Sequence, residues 1–274
     1  MKLKLPRRTR PSNSNKARQK EPIVIIDSWG LRYIYYPWET EELKDIISRE
    51  FYKPEFLAIK KLVKNGDIVI DVGANIGVFS AYLSREVGAA GKVFAFEPVK
   101  ETFWRLQETL ALNRCENLSA YQIALSNKPG NFTMNVFEPQ YSAWNSFGRP
   151  QFGDVKPTGV EKVTADTLDR FADKHGLKKI NFVKIDVEGF EKDVLEGAKK
   201  LLKAGAIDCL SFEISDIPLR GGGRVARDVF DLLASLGYVA YRYDSATDGF
   251  AGPVTNSSDD YQNFYASKHN LGDL

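Results

Sequence analysis

From residue 67 onward, short apolar runs alternate with stretches of helical periodicity. "DIVIDVG" (67–73) is followed by a helical segment, then "KVFAFEP" (92–98), then a segment with Val99, Phe103, Leu106 and Leu110 at i, i+4, i+7 and i+11. "NLSAYQIAL" (117–125) predicts a third strand and "NFVKIDVEG" (181–189) a fourth. A helix carrying Val194, Leu195, Ala198, Leu201 and Leu202 then precedes "DCLSFEI" (208–214). Near-continuous apolar strands alternating with amphipathic helices predict an α/β, doubly wound, mostly parallel sheet covered on both faces, with right-handed crossovers.

Upstream, "PIVIID" and "LRYIYYP" flank Ser28, Trp29 and Gly30 and predict a β-hairpin. Residues 40–50 read as a helix, and a second helix opens near Pro54 and closes by Gly66, with Phe56, Ile59, Leu62 and Val63 on one face. Two stretches break the later alternation. Between strands three and four, "NFTMNVFEP" and "VEKVTADTLDRF" predict an added strand pair around the long loop "QYSAWNSFGRPQFGD"; long loops on α/β domains often carry function. At the end of the chain "YVAYRYD" and "NFYASK" predict closing strands in an antiparallel edge hairpin. The expected organisation is a disordered basic tail (1–21), a hairpin and helices packed on the core (22–66) and one main domain (67–274).

Charge changes this picture at one end only. Eight of the 38 Lys and Arg residues fall within residues 1–20, which contain no acid, so the overall +2 conceals a mildly acidic remainder. The tail has too little apolar surface to offset its ordering entropy, and its alternative reading is a tether to anionic lipid or nucleic acid. No run of 18 apolar residues occurs and the N-terminus lacks the apolar core of a secretion signal, so a cytoplasmic location is expected. Cys115 and Cys209 have no metal or redox spacing, and two histidines, His175 and His269, are too few for a histidine-rich metal site.

The candidate chemistry begins at "DVGANIGVFSAYLS" (71–84), a strand leading through a glycine turn into a helix. In an open parallel sheet that turn lines the pocket beyond the strand ends. A dinucleotide fingerprint would need glycines where Asn75 and Val78 stand, and no P-loop pattern is present. The pattern present is D-x-G-x-N-x-G: Asp71, Gly73 with Ala74, Asn75, Gly77. A carboxylate at the strand tip suits a cation better than a phosphate, and S-adenosylmethionine carries a sulfonium, an ammonium and no phosphate. Glu97, at the end of the second strand and followed by the turn-forming Pro98, is placed to accept hydrogen bonds from ribose hydroxyls; that geometry also serves NAD. Ala124 and Leu125, with Ser126, offer backbone groups to an adenine edge.

These residues resemble the class I S-adenosylmethionine-dependent methyltransferases, and more narrowly the FkbM family. The motifs are "GDIVIDVGANIGVFSAYLS", "VFAFEPVKETFWRLQETLALN", "ALSNKPG", "VTADTLDRF", "FVKIDVEGFEKDVLEGA" and "SFEIS", in the family's order over roughly residues 50–215. The resemblance implies a seven-stranded Rossmann-like sheet of order 3-2-1-4-5-7-6 with the seventh strand antiparallel. It also implies S-adenosylmethionine held by Asp71, the Gly73–Gly77 turn and Glu97, and O-methylation of a hydroxyl on a sugar, glycan or secondary metabolite.

Methyl transfer needs the acceptor positioned in line and, for an alcohol, a base. With histidine scarce, strands four and five offer carboxylates at their ends: Asp186 first, beside the cofactor, then Glu188 and Glu213. Lys184, two residues before Asp186, is placed to pair with it. The same three carboxylates are a candidate ligand set for Mg²⁺. Tyr141, Trp144, Asn145 and Ser146 in the long loop, and Arg220 and Arg224 around Gly221–Gly223, are candidates for a small-molecule or glycan acceptor. The rival readings are an S-adenosylmethionine-binding module without catalysis, an NAD-linked oxidoreductase, and a nucleic-acid methyltransferase. The last has only the tail in its favour, since the [DNS]-P-P-[YFW] motif of base-amine methylation is absent.

Overall fold

The computed structural model describes residues 21–36, 52–138, 145, 147, 156–215, 225–257 and 261–274. The predicted helix at 40–50, the tail to residue 20, and Tyr141, Trp144, Ser146, Arg220, the 221–223 glycines and Arg224 lie outside the described residues.

The chain opens with an antiparallel hairpin, β1 (Ile23–Ile26) and β2 (Arg32–Tyr35). Its turn is held by Asp27, whose Oδ1 accepts from the Trp29 and Leu31 amides and whose Oδ2 accepts from the Tyr33 hydroxyl. Helix α1 (Lys53–Leu62) begins with Pro54 in its first turn, where a missing N–H costs nothing. The central strands follow: β3 (Ile68–Val72), β4 (Lys92–Phe96), β5 (Leu118–Tyr121), β9 (Ile180–Ile185) and β10 (Ile207–Ser215). All five are mutually parallel. Three later strands, β11 (Val239–Asp244), β12 (Gly249–Val254) and β13 (Tyr261–Ser267), complete a sheet ordered β12-β11-β13-β10-β9-β3-β4-β5.

The sheet therefore has eight strands where seven were expected. The additional one is β12, whose "GFAGPV" is rich in glycine and proline and gives no strand signal, yet pairs antiparallel with β11 at the edge. Its pairing shifts register opposite Ala240–Arg242, next to Pro253.

A second correction concerns the third strand. "NLSAYQIAL" is not continuous: β5 stays in the main sheet, but Ala124–Leu125 (β6) leaves it to pair with β8 (Gly159–Asp166), which also pairs antiparallel with β7 (Gly130–Val136). The expected strand pair is thus part of a separate three-stranded sheet. Likewise the single helix expected after strand four is two, α5 (Glu191–Gly197) and α6 (Lys199–Lys203), divided at Ala198. Gly197 explains the close approach there, because a Cβ on it would lie 2.0 Å from the Ser126 carbonyl oxygen.

Helices cover both faces. Helices α1, α2 (Val78–Val87) and α3 (Lys100–Asn113) lie with the hairpin on one side, where Phe56 stacks on Tyr82 at 4.0 Å. Helices α4 (Leu168–His175), α5, α6 and α7 (Ala226–Ser235) lie on the other. There Ile70, Val72, Val183, Ile185, Leu210 and Phe212 enter the largest core cluster. Cys209 is buried, and His175 and His269 are exposed. No helix among the described residues is long and apolar enough to cross a membrane.

Candidate active site

The glycine turn is set by positive backbone angles and by neighbouring protein. Gly73 (φ 81°) and Ala74 both donate their amides to the Phe96 carbonyl, tying the end of β3 to the end of β4. A Cβ on Gly73 would stand 1.8 Å from the Asp186 carbonyl oxygen, and one on Gly77 (φ 92°) would stand 2.7 Å from Leu106 Cδ1. Only glycine allows β9 and α3 to close so tightly on the turn. Between them Asn75 takes φ 48°, a conformation asparagine tolerates better than most residues.

Two buried carboxylates flank this turn. Asp71 is fully buried; its Oδ2 accepts a 2.6 Å hydrogen bond from the Ser80 hydroxyl, while its Oδ1 is buried with no partner. Burial raises its pKa, opposed by the Lys184 ammonium and the Ser80 hydroxyl. Glu97 is also buried. Its Oε2 accepts from the Asn75 amide at 3.1 Å and its Oε1 from the Val99 amide at 2.9 Å, so it braces the turn from β4. Burial pushes its pKa up to about 7 against those two hydrogen bonds. Pro98, also buried, follows and directs the chain into α3. Ala124 and Leu125 are buried in β6, and the Ser126 amide is committed to the Asp166 carbonyl at 2.9 Å.

The carboxylates at the other strand tips do converge. Oxygens of Asp186, Glu188 and Glu213 all lie within 4.8 Å of one another. Asp186 Oδ2 is 2.6 Å from Lys184 Nζ, the pairing expected from their spacing. Glu188 is carried at φ 53°, and Gly189 at φ 90°, so the chain turns sharply out of β9. Burial first, then the neighbouring charges of Asp186 and Glu191, hold the Glu188 carboxyl well above its ordinary value. Glu213 is raised in the same way, by burial and then by Asp186 and Glu188. Hard oxygen donors at this separation fit a divalent cation such as Mg²⁺.

Several participants gave no signal in the sequence. Glu191 braces the Glu188 turn, its Oε1 accepting from the Gly189 amide at 3.1 Å and the Val187 amide at 3.4 Å, and burial raises it to about 7. Glu55, on α1, accepts from Asn263 Nδ2 at 2.8 Å, and Asn263 stands opposite Glu213 in the β10–β13 ladder. Tyr52 packs edge-on against Phe79 at 5.1 Å, and burial followed by the charges of Asp186, Glu213, Glu55 and Glu188 raises its phenol. The helix pattern of α1 could have marked Glu55 as first-turn acid, but not its long-range partner. Asn145, the one described member of the proposed acceptor group, is only 8 % exposed; it accepts from the Phe137 amide and donates to Thr102 Oγ1. These bonds give it a structural part in holding the loop.

One observation above all fits S-adenosylmethionine: Asp71 Oδ1, at the end of β3 beside the glycine turn, is a buried acceptor with no partner, which suits a cation rather than an anion. Comparison with known proteins agrees. The FkbM methyltransferase domain matches residues 71–240. Methyltransferase sdnD of Sordaria araneosa is 32% identical over 192 residues, covering 61% of this chain and 73% of the relative. The 2-O-methyltransferase NoeI of Sinorhizobium fredii is 25% identical over 192 residues, covering 66% of this chain and 77% of its own length. Hexuronic acid methyltransferase AglP of Haloferax volcanii is 31% identical over 138 residues, covering 50% and 52%. With the match spanning more than half its length, this chain belongs to the FkbM family of methyltransferases.

Proposed function

We propose that the protein is an S-adenosylmethionine-dependent O-methyltransferase acting on a hydroxyl of a sugar, glycan or secondary-metabolite intermediate. The observation that supports this reading is the convergence of the Asp186, Glu188 and Glu213 carboxylates, next to the Gly73 turn that the Asp186 carbonyl approaches; in this reading they are the proton acceptors for an alcohol. The names of NoeI, a 2-O-methyltransferase, and AglP, a hexuronic acid methyltransferase, support oxygen as the acceptor and a sugar as its carrier. An S-adenosylmethionine-binding module without catalysis would not need this cluster.

S-adenosylmethionine supplies an electrophilic methyl on a positively charged sulfur. In this reading Asp71 and the Gly73–Gly77 turn hold it, Glu97 accepts from its ribose hydroxyls, and Ala124 and Leu125 border its adenine. An alcohol acceptor methylated by that cofactor would give up its hydroxyl proton to Asp186. Lys184 keeps Asp186 oriented through their 2.6 Å ion pair. Glu188 and Glu213, both raised by burial and then by Asp186, are suited to share that proton or, with Asp186, to hold Mg²⁺.

The test is calorimetric titration with S-adenosylhomocysteine and, separately, NAD, with Glu97→Ala as control. Micromolar binding of the first, weakened at least tenfold by the substitution and absent for NAD, is expected. Binding of NAD alone would overturn the cofactor assignment.

A further inference from the structure

The side chains crossing the strand tips beneath α1 are largely ionisable. Burial raises Glu55, Asp71 and Glu213, but among the described residues the acids outnumber the one base, so the cluster becomes net negative as they ionise. Lys184 stands between Asp71 on β3 and Ser211 on β10 in the ladder register. It is 6 % exposed, with Nζ 2.6 Å from Asp186 Oδ2 and 4.2 Å from the centre of the Phe79 ring. Burial alone would drive its ammonium toward neutrality, but Asp186, Asp71 and Glu213 outweigh that cost and raise its pKa.

The acids around it outnumber it. Glu213 is 7 % exposed, and its carboxylate belongs to the cluster with Asp186 and Glu188. Glu55 comes from α1, outside the matched family segment, and only one of its oxygens is bonded: Oε1 holds Asn263, while Oε2 is buried without a partner. In a partly dry site each such charge acts over several ångströms.

S-adenosylmethionine carries a fixed positive charge that its product, S-adenosylhomocysteine, lacks. The Asp186 carbonyl presses on Gly73, so this charge cluster abuts the cofactor turn. We propose that Lys184 and Glu55 are opposed positioning charges that set how strongly the site prefers the sulfonium cofactor to its neutral product. Glu55 strengthens that preference and Lys184 limits it. A net-negative surround attracts the incoming cofactor and loses that attraction once the methyl has left, which favours product release. The inference rests on the cofactor assignment above.

The experiment is calorimetric measurement of Kd for S-adenosylmethionine and for S-adenosylhomocysteine, at pH 8.5, where the raised carboxyls are more ionised than at neutrality, in the intact protein, Lys184→Met and Glu55→Gln. The informative quantity is the ratio of the two constants, product over cofactor, because structural damage weakens both ligands together. A unit charge roughly 10 Å away should move the ratio by about two- to tenfold. It should rise in Lys184→Met and fall in Glu55→Gln. An unchanged ratio in both variants, or a shift in the same direction, overturns the proposal. Should Lys184→Met fail to fold, Glu55→Gln decides alone. Failure of the unaltered protein to bind either ligand overturns the cofactor assignment itself, and the inference with it.

Discussion

Strands β3, β9 and β10 present two faces that differ by one residue in phase and, at the strands' carboxyl ends, in character; nearer their starts the second face is apolar too, with Val69, Phe182 and Cys209 packed under α1 and α2. One face delivers Ile70, Val72, Val183, Ile185, Leu210 and Phe212 to a core closed by α4 to α7. The other, at the same strand ends, presents Asp71, Lys184, Ser211, Asp186 and Glu213 beneath α1 and α2. Four of those five are less than one-tenth exposed, so these polar side chains are nearly as dry as the apolar ones opposite. Burying apolar side chains stabilises the fold, whereas burying unbalanced charge costs free energy unless partners or ligands offset it. The sheet accepts this cost only at the strand tips of one face, while the rest of that face and the whole of the other bury apolar side chains.

The separation can be broken from either side. Phe264 lies fully buried on the apolar face, with ring centres 5.6 Å from Phe212 and 5.0 Å from Phe230. Phe264→Ala should cost about 3–5 kcal/mol of unfolding free energy in chemical denaturation, while the folded variant keeps its affinity for S-adenosylhomocysteine. Asp186→Asn is the converse. It should lower methyl transfer by about 100-fold or more, the scale of a lost general base, with a smaller stability loss than Phe264→Ala. Chelation followed by Mg²⁺ restoration in the unaltered enzyme then separates the two roles of that carboxylate: recovery of transfer marks a cation ligand, and indifference marks a base alone.

A pH dependence, gradual where the substitutions are abrupt, sharpens the cost of the buried acids. Burial raises Glu97 and Glu191 from an ordinary 4.5 to about 7. Between those values the folded protein binds protons that the unfolded chain has released, so this contribution is complete below about pH 4.5 and is lost as pH rises through 7. Each group contributes at most about 1.4 kcal/mol per pH unit across that window. Denaturation of the ligand-free protein should therefore show falling stability from pH 5 to pH 7.5, with a shallower slope in Glu97→Gln. A rise over this range would contradict it.

The sequence made much of the apolar face legible, because parallel strands buried on both sides read as short apolar runs and their helices as periodic stripes. The strand-to-helix glycine turn was legible through the spacing of Asp71, Gly73 and Gly77, although Gly73 and Gly77 also answer to the Asp186 carbonyl and Leu106, contacts that no local pattern records. Glu55 and Asn263 meet across 208 positions, a pairing set by how α1 folds over the strand tips and not by any spacing along the chain. The break between β5 and β6 was hidden for a related reason. Gln122 and Ile123 continue a strand-like composition, and only the pairing of Ala124 and Leu125 with β8 draws the chain out of the main sheet.

The edge strand β12 carries a consequence for behaviour at high concentration. An outermost strand leaves a row of backbone donors and acceptors available to a second molecule. Here that row includes Pro253, which has no N–H, and a shift in register beside it. Proline and an irregular ladder are two devices that discourage edge-to-edge growth into aggregates. At the opposite edge β5 offers only four residues. Colloidal stability is thus built into both margins of the sheet, far from the carboxylates at its centre.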